Sequence, residues 1–143
     1  MENQLDLVLS FLRDYERNIA AADIPALLDQ FADPFLAAIP QGVKIVSAAD
    51  HAKELPARRN LFDRAGCKPG RLVSAHPITL SSRYVLALTK WRWAFAAAHA
   101  EAKEILTDAA FLVDTGAGPP KIVLYLPATD MVAALKEEGI PAG

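Results

Sequence analysis

The stretch from Leu80 to Leu126, LSSRYVLALTKWRWAFAAAHAEAKEILTDAAFLVDTGAGPPKIVLYL, does most to limit what this chain can become. Apolar and aromatic residues alternate with charged ones over long runs, the period of a strand with one greasy face and one charged face. Three long strands joined by tight turns form a curved antiparallel sheet, and its greasy face must be covered by another layer. The expected product is an α+β domain with a cavity between the layers.

With 143 residues, 52% of them hydrophobic, the chain reads as one domain spanning 1–143 whose core needs no staples. Lys and Arg number 15 against 17 Asp and Glu, a net charge of -2, so no electrostatic footprint for nucleic acid is expected. Cys67 is the sole cysteine, which excludes an internal disulfide and a Cys-rich zinc site and fits a reducing compartment. The opening MENQLDLVLS lacks the basic region and cleavage site of a signal peptide, and no apolar run is long enough to span a bilayer. A cytoplasmic location with no membrane partner is the expectation.

Leu5, Val8, Leu12, Tyr15 and Ile19 follow helical spacing and predict a long amphipathic first helix. Asp23 can cap a short second helix that carries Pro25 in its first turn, buries Leu27, Leu28 and Phe31, and stops at Asp33-Pro34. Phe35 to Ile39 and Val43 to Val46 read as a small hairpin around Pro40-Gln41-Gly42. Ser47 or Asp50 caps a third helix, which carries Leu55, Leu61 and Phe62, is bent or interrupted by Pro56, and ends near Gly66. Strands follow at about Arg71 to Ser81, Arg83 to Ala96, Ala102 to Asp114 and Lys121 to Leu126, with a closing helix from Thr129 to Glu138.

The segment FLRDYERNIAAADIPALLDQFADPF, the Pro-Gln-Gly turn, the third helix and the TKWRWAF strand together resemble the nuclear transport factor 2-like superfamily over nearly the whole chain. That superfamily includes SnoaL-like polyketide cyclases and ketosteroid isomerases. The resemblance implies a cone-shaped, cystatin-like α+β roll, its curved antiparallel sheet wrapped around three N-terminal helices, with a pocket between them and a homodimer formed through the sheet. It implies no particular activity, because such rolls host isomerases, dehydratases, cyclases, carriers and assembly domains. Ketosteroid isomerase-type chemistry needs a carboxylate base and, for the oxyanion, a Tyr with a protonated Asp. Tyr15 matches the Tyr, whereas the base falls at about Ile39 and the Asp near Ala109 or Ala110, none of which carries a proton.

Sorted by strand face, Thr89, Trp91, Trp93 and Phe95 oppose Leu88, Lys90, Arg92 and Ala94, while Ile105, Thr107, Ala109, Phe111 and Val113 oppose Glu104, Leu106, Asp108 and Leu112. Lys90 and Arg92 are expected opposite Glu104 and Asp108 on the outer face. Trp91, Trp93, Phe95 and Phe111 would wall the pocket beside Tyr15, and the same residues would serve equally as plain core. His76, ahead of Pro77, is the general acid/base candidate by residue type and is placed with the pocket residues. His99 reads as an exposed hairpin-tip residue.

The three histidines belong to no ligand motif, so neither metal nor cofactor is expected. Gly116 to Lys121 is turn chemistry without a phosphate-loop pattern, and Arg58, Arg59 and Arg64, interleaved with Glu54 and Asp63, read as a solvated helix face. The expected function is binding of a small apolar or aromatic organic molecule. The alternatives are an isomerase, dehydratase or cyclase acting on a polyketide- or steroid-like substrate, and a dimerisation module.

Overall fold

The computed structural model describes residues 3–95, 103–116 and 118–129, together with residues 133 and 137. Three helices, α1 (Gln4–Ala20), α2 (Ile24–Asp29) and α3 (Ala48–Arg64), accompany six strands: β1 (Phe31–Ile39), β2 (Gly42–Val46), β3 (Arg71–Thr79), β4 (Tyr84–Phe95), β5 (Lys103–Asp114) and β6 (Lys121–Pro127). The strands form one open sheet in the order β2-β1-β6-β5-β4-β3. His99 and most of the expected C-terminal helix lie outside the described residues, as do the ends of the third- and second-last strands expected at Ala96 and Ala102. No helix among the described residues is long and apolar enough to cross a membrane.

Each helix starts where its capping chemistry dictates. Asn3 accepts a hydrogen bond from the Asp6 amide at 2.8 Å, and Asp23 accepts from the Ala26 amide at 3.2 Å with Pro25 just inside the helix. For α3, Ser47 Oγ accepts from the Asp50 amide at 3.1 Å and Asp33 Oδ1 from the Ala48 amide at 2.9 Å. Such a cap is worth about 1 kcal/mol. The Asp33 bond also ties the start of α3 to β1, which helps to set which face of α3 turns inward. Pro56 does not break α3; the helix runs through it.

Two expectations about the sheet need correction. Phe31 does not belong to α2 and Asp33-Pro34 does not end it: α2 stops at Asp29, and Phe31 opens β1 opposite Ile122. The Ile122 amide donates to the Gln30 carbonyl at 2.8 Å, so the chain is already committed to the sheet at Phe31, ahead of Pro34. Nor is the sheet wholly antiparallel, because β1 pairs with β6 in parallel. β3 to β6 fold back one strand at a time, and β6 then presents its free edge to β1 running in the same direction.

The helices cover one face of the sheet, with α1 packed against β3 and β4. Val8, Phe11 and Leu12 of α1 meet Phe31, Phe35, Val85, Ala87, Trp91, Phe111, Val113 and Ile122 in the main core. The alternation expected for β4 and β5 holds along both strands: Val85, Ala87, Thr89, Trp91 and Phe95 are buried, as are Ile105, Thr107, Ala109, Phe111 and Val113. On the other face Lys90 lies across from Asp108 with an N···O distance of 3.4 Å, and Arg92 reaches Glu104 diagonally at 3.5 Å. Exposed cross-strand pairs of this kind contribute about 0.2–1 kcal/mol each.

Candidate functional site

A cavity of 120 Å³ opens between the helices and the inner face of β4, β5 and β6. It is of the same order as the roughly 150 Å³ apolar cavity that admits benzene. Tyr15 and Ile19 of α1 and Leu27 of α2 form one wall, Leu55, Arg58, Arg59 and Phe62 of α3 another, and Trp91, Trp93, Thr107, Ala109, Phe111 and Tyr125 the sheet wall. Cys67, Lys68 and Pro69 lie at one side.

The aromatic residues hold one another in place. Tyr15 meets Phe31, Trp91 and Phe111 edge-on, with centroids 6.0, 6.0 and 5.4 Å apart, and Phe111 stacks on Tyr125 at 5.3 Å. Both indoles are anchored through their N–H groups: Trp91 donates to Thr89 Oγ1 and Trp93 to Thr107 Oγ1, each at 2.8 Å. The Thr89 hydroxyl in turn donates to the Ala109 carbonyl at 2.7 Å. These bonds leave no buried donor on either tryptophan unsatisfied and fix two ring planes of the cavity wall.

The Tyr15 hydroxyl differs from them. Among the described residues it has no hydrogen-bond partner, yet no buried side-chain polar atom is left unsatisfied, so its oxygen is open to the cavity. Burial first, and then neighbouring Tyr125, push its pKa above the usual phenol range, against a smaller lowering by Arg58. The group stays a neutral donor at any physiological pH.

Arg58 and Arg64 are exposed, as a solvated helix face requires, but Leu55, Arg58, Arg59 and Phe62 recur at the three- and four-residue spacing of a single helix face, and that face also lines the cavity. Arg58 is exposed over the residue as a whole and at the same time lines the cavity, so it reaches both solvent and the interior. The guanidinium carbon sits 5.4 Å from the centroid of Phe62. Tyr125 acts on it most and raises its pKa; burial opposes this, and Tyr15 adds to the rise. Arg59 is already engaged, by Asp63 at 3.2 Å and by the Ile19 carbonyl at 3.4 Å.

The sequence-derived site residues divide between cavity and elsewhere. Tyr15, Trp91, Trp93 and Phe111 meet at the cavity. Phe95 has the expected face but not the expected place: it is packed with Ala65, Cys67 and Ile105 in a separate small core and bridges to Cys67. There burial, the largest influence, pushes the Cys67 thiol up to about 12. His76 faces the wrong way. A bulge between Leu72 and Ser74 adds one residue to β3, so Leu72 lies opposite inward Trp91 while Ser74 lies opposite outward Lys90. His76 therefore pairs with Leu88 on the exposed face instead of turning into the cavity. His51, which carried no expected role, is buried between Phe31 and Phe35 at ring-centroid distances of 4.5 and 4.9 Å. Burial and, less strongly, Arg58 lower its pKa. No three His, Cys, Asp or Glu side chains among the described residues gather into a metal site.

Solved structures resemble this fold at low sequence identity. A candidate scytalone dehydratase from Novosphingobium aromaticivorans superposes with a TM-score of 0.71 at 12% identity, covering 90% of this chain and 85% of the other. An NTF-2-like protein of unknown function from Shewanella oneidensis gives 0.61 at 12% identity over 85% and 96%. A protein with a cystatin-like fold from Nostoc punctiforme gives 0.66 at 13% over 89% and 93%. No protein-family model and no curated protein sequence matches the chain.

Proposed function

The chain has the nuclear transport factor 2-like fold, and from that premise we propose that it binds a small apolar or aromatic organic molecule in the cavity between α1, α3 and the sheet. The observation that carries this reading is an open cavity walled by anchored aromatic rings, into which one tyrosine hydroxyl projects without a partner. Binding is favoured over proton-transfer catalysis because, among the described residues, the one lining residue with a carboxylate, Asp108, directs it to Lys90 on the outer face. No general base among the described residues faces the cavity. Calorimetric titration with 2-naphthoate and with its neutral amide tests the reading: at least one should bind at a single site, and Ala109→Phe, which fills the cavity from the sheet side, should abolish it while the circular dichroism spectrum is retained. Absence of saturable binding by both compounds, or unchanged binding in the variant, would exclude the cavity as the site.

The outer sheet face bears on assembly. It is less charged than the strand pattern alone implies, because Leu86, Leu112, Leu124 and Leu36 lie side by side across four strands, next to Ile45. Leu36, Leu88 and Leu106 are 41%, 44% and 54% exposed. A second copy of the chain is the proposed cover for this row, since apolar surface of this extent is seldom left to water. Sedimentation equilibrium should give a dimer that Leu88→Glu converts to monomer; a monomer for the unaltered chain at high concentration would rule the dimer out.

A further inference from the structure

The cavity is apolar in its walls and cationic in its polar groups, and we infer that its ligand is an organic anion, an aromatic or apolar ring system bearing a carboxylate that Arg58 receives. The inference rests on the proposed cavity-binding role and names the ligand's chemical class.

Among the described residues three with cationic side chains line the cavity, Arg58, Arg59 and Lys68, against one with a carboxylate, Asp108. Of these, Arg59 is neutralised by Asp63 and Asp108 by Lys90. Arg58 makes no ion pair with any carboxylate among the described residues. A guanidinium at the wall of an apolar cavity with no carboxylate of the protein beside it is placed to receive one from a ligand. Arg58 is exposed as a residue, and its guanidinium carbon is held 5.4 Å from the Phe62 centroid at the cavity wall. Its field reaches Tyr15, His51 and Cys67, acting in each case as a positive charge does.

The surrounding donors suit the same ligand. A carboxylate placed at Arg58 takes two parallel N–H bonds from the planar fork. The Tyr15 hydroxyl, neutral and free, supplies a further donor from the opposite wall. Rings attached to that carboxylate would lie against the joint wall that Phe62 and Trp93 make, packed on each other at 5.5 Å between centroids, and extend toward Trp91. A neutral molecule of the same shape would gain the apolar contacts and leave the guanidinium unpaired; a cationic one would be repelled.

The test compares 2-naphthoate with 2-naphthamide, which share ring system and shape and differ in charge, by calorimetric titration of the full chain at neutral pH. The acid should bind at least tenfold more tightly than the amide. In Arg58→Met, which keeps the length and apolar stem, that preference should collapse to near unity while amide binding survives, and Arg58→Lys should retain part of it. Equal affinities for acid and amide in the unaltered protein would overturn the anion inference while leaving cavity binding intact. Loss of acid and amide binding in equal proportion in Arg58→Met would remove Arg58 as the receiving group. If neither compound binds the unaltered protein, the cavity-binding role falls and this inference with it. The acid-to-amide ratio of the unaltered protein decides the question even if a variant does not fold.

Discussion

Replacing Phe111 with alanine should lower the free energy of unfolding by about 3–5 kcal/mol, the range for removing a fully buried aromatic ring. Phe111 is 1% exposed and joins three parts of the molecule: it stacks on Tyr125 of β6, meets the edge of Tyr15 on α1, and lies opposite Ala87 in β4. The chain around it cannot close the gap, because Ala87 and Ala109 offer no side-chain volume to move in and the indoles of Trp91 and Trp93 are held by hydrogen bonds. The void would merge with the existing cavity, so Tyr15 and Tyr125 should lose their fixed orientation as well. Urea unfolding measures the loss, and a cost below about 1 kcal/mol would mean that Phe111 is not the packed centre described here.

Gly70→Ala should act on the site from outside it. A Cβ at Gly70 would stand 2.8 Å from Trp93 Cη2, 2.9 Å from Cζ2 and 3.0 Å from Cζ3. The restriction is one of space: the indole lies flat against the Gly70 backbone. Trp93 cannot swing aside freely, since its Nε1 is bonded to Thr107 and its ring packs against Phe62. Either the indole hydrogen bond breaks or the backbone after α3 shifts. Overpacking of this kind costs about 1–3 kcal/mol, and the cavity wall moves with the ring, so affinity for an aromatic ligand should fall by about tenfold or more, equivalent to about 1.4 kcal/mol. Unchanged stability together with unchanged binding would show that Trp93 has room the structure does not give it.

The parts of this fold that could be read in the sequence are those where one short-range rule decides. Alternation along TKWRWAF and EILTDAAF puts aromatics and charges on opposite faces, and the Lys90–Asp108 and Arg92–Glu104 contacts follow from it. Asp23, Ser47 and Gly66 marked helix boundaries because capping is local chemistry; Gly66 adopts the left-handed conformation suited to a helix end, with φ of 73°. What escaped depends on register between distant segments. Nothing in Leu72-Val73-Ser74 reveals the bulge, yet that one extra residue turns His76 from the inner face to the outer. Tyr125 reaches the cavity because β5 and β6 slip between Leu112 and Val113, which no single strand pattern encodes. Phe95 lies on the correct face but too far along β4, where the partner is the end of α3 and not the cavity.

Arg58 is a different case, since its signal was present. Leu55 and Phe62, two apolar residues seven apart, flank Arg58 and Arg59 on one helix face, and that pattern brings the arginines to the cavity. Interleaving with Glu54 and Asp63 marks the solvated edge of the same helix, and the two patterns meet at Arg58, which is exposed and lines the cavity. The cation in the cavity is the feature that separates this site from a plain aromatic core.

A crystal structure of the protein with 2-naphthoate tests the central claim most directly. The account predicts the ring system in the cavity against Phe62, Trp91 and Trp93, with its carboxylate within hydrogen-bonding distance of the Arg58 guanidinium and the Tyr15 hydroxyl turned toward it. A cavity closed by its own side chains, with Arg58 swung out to solvent and no ligand inside, would contradict it.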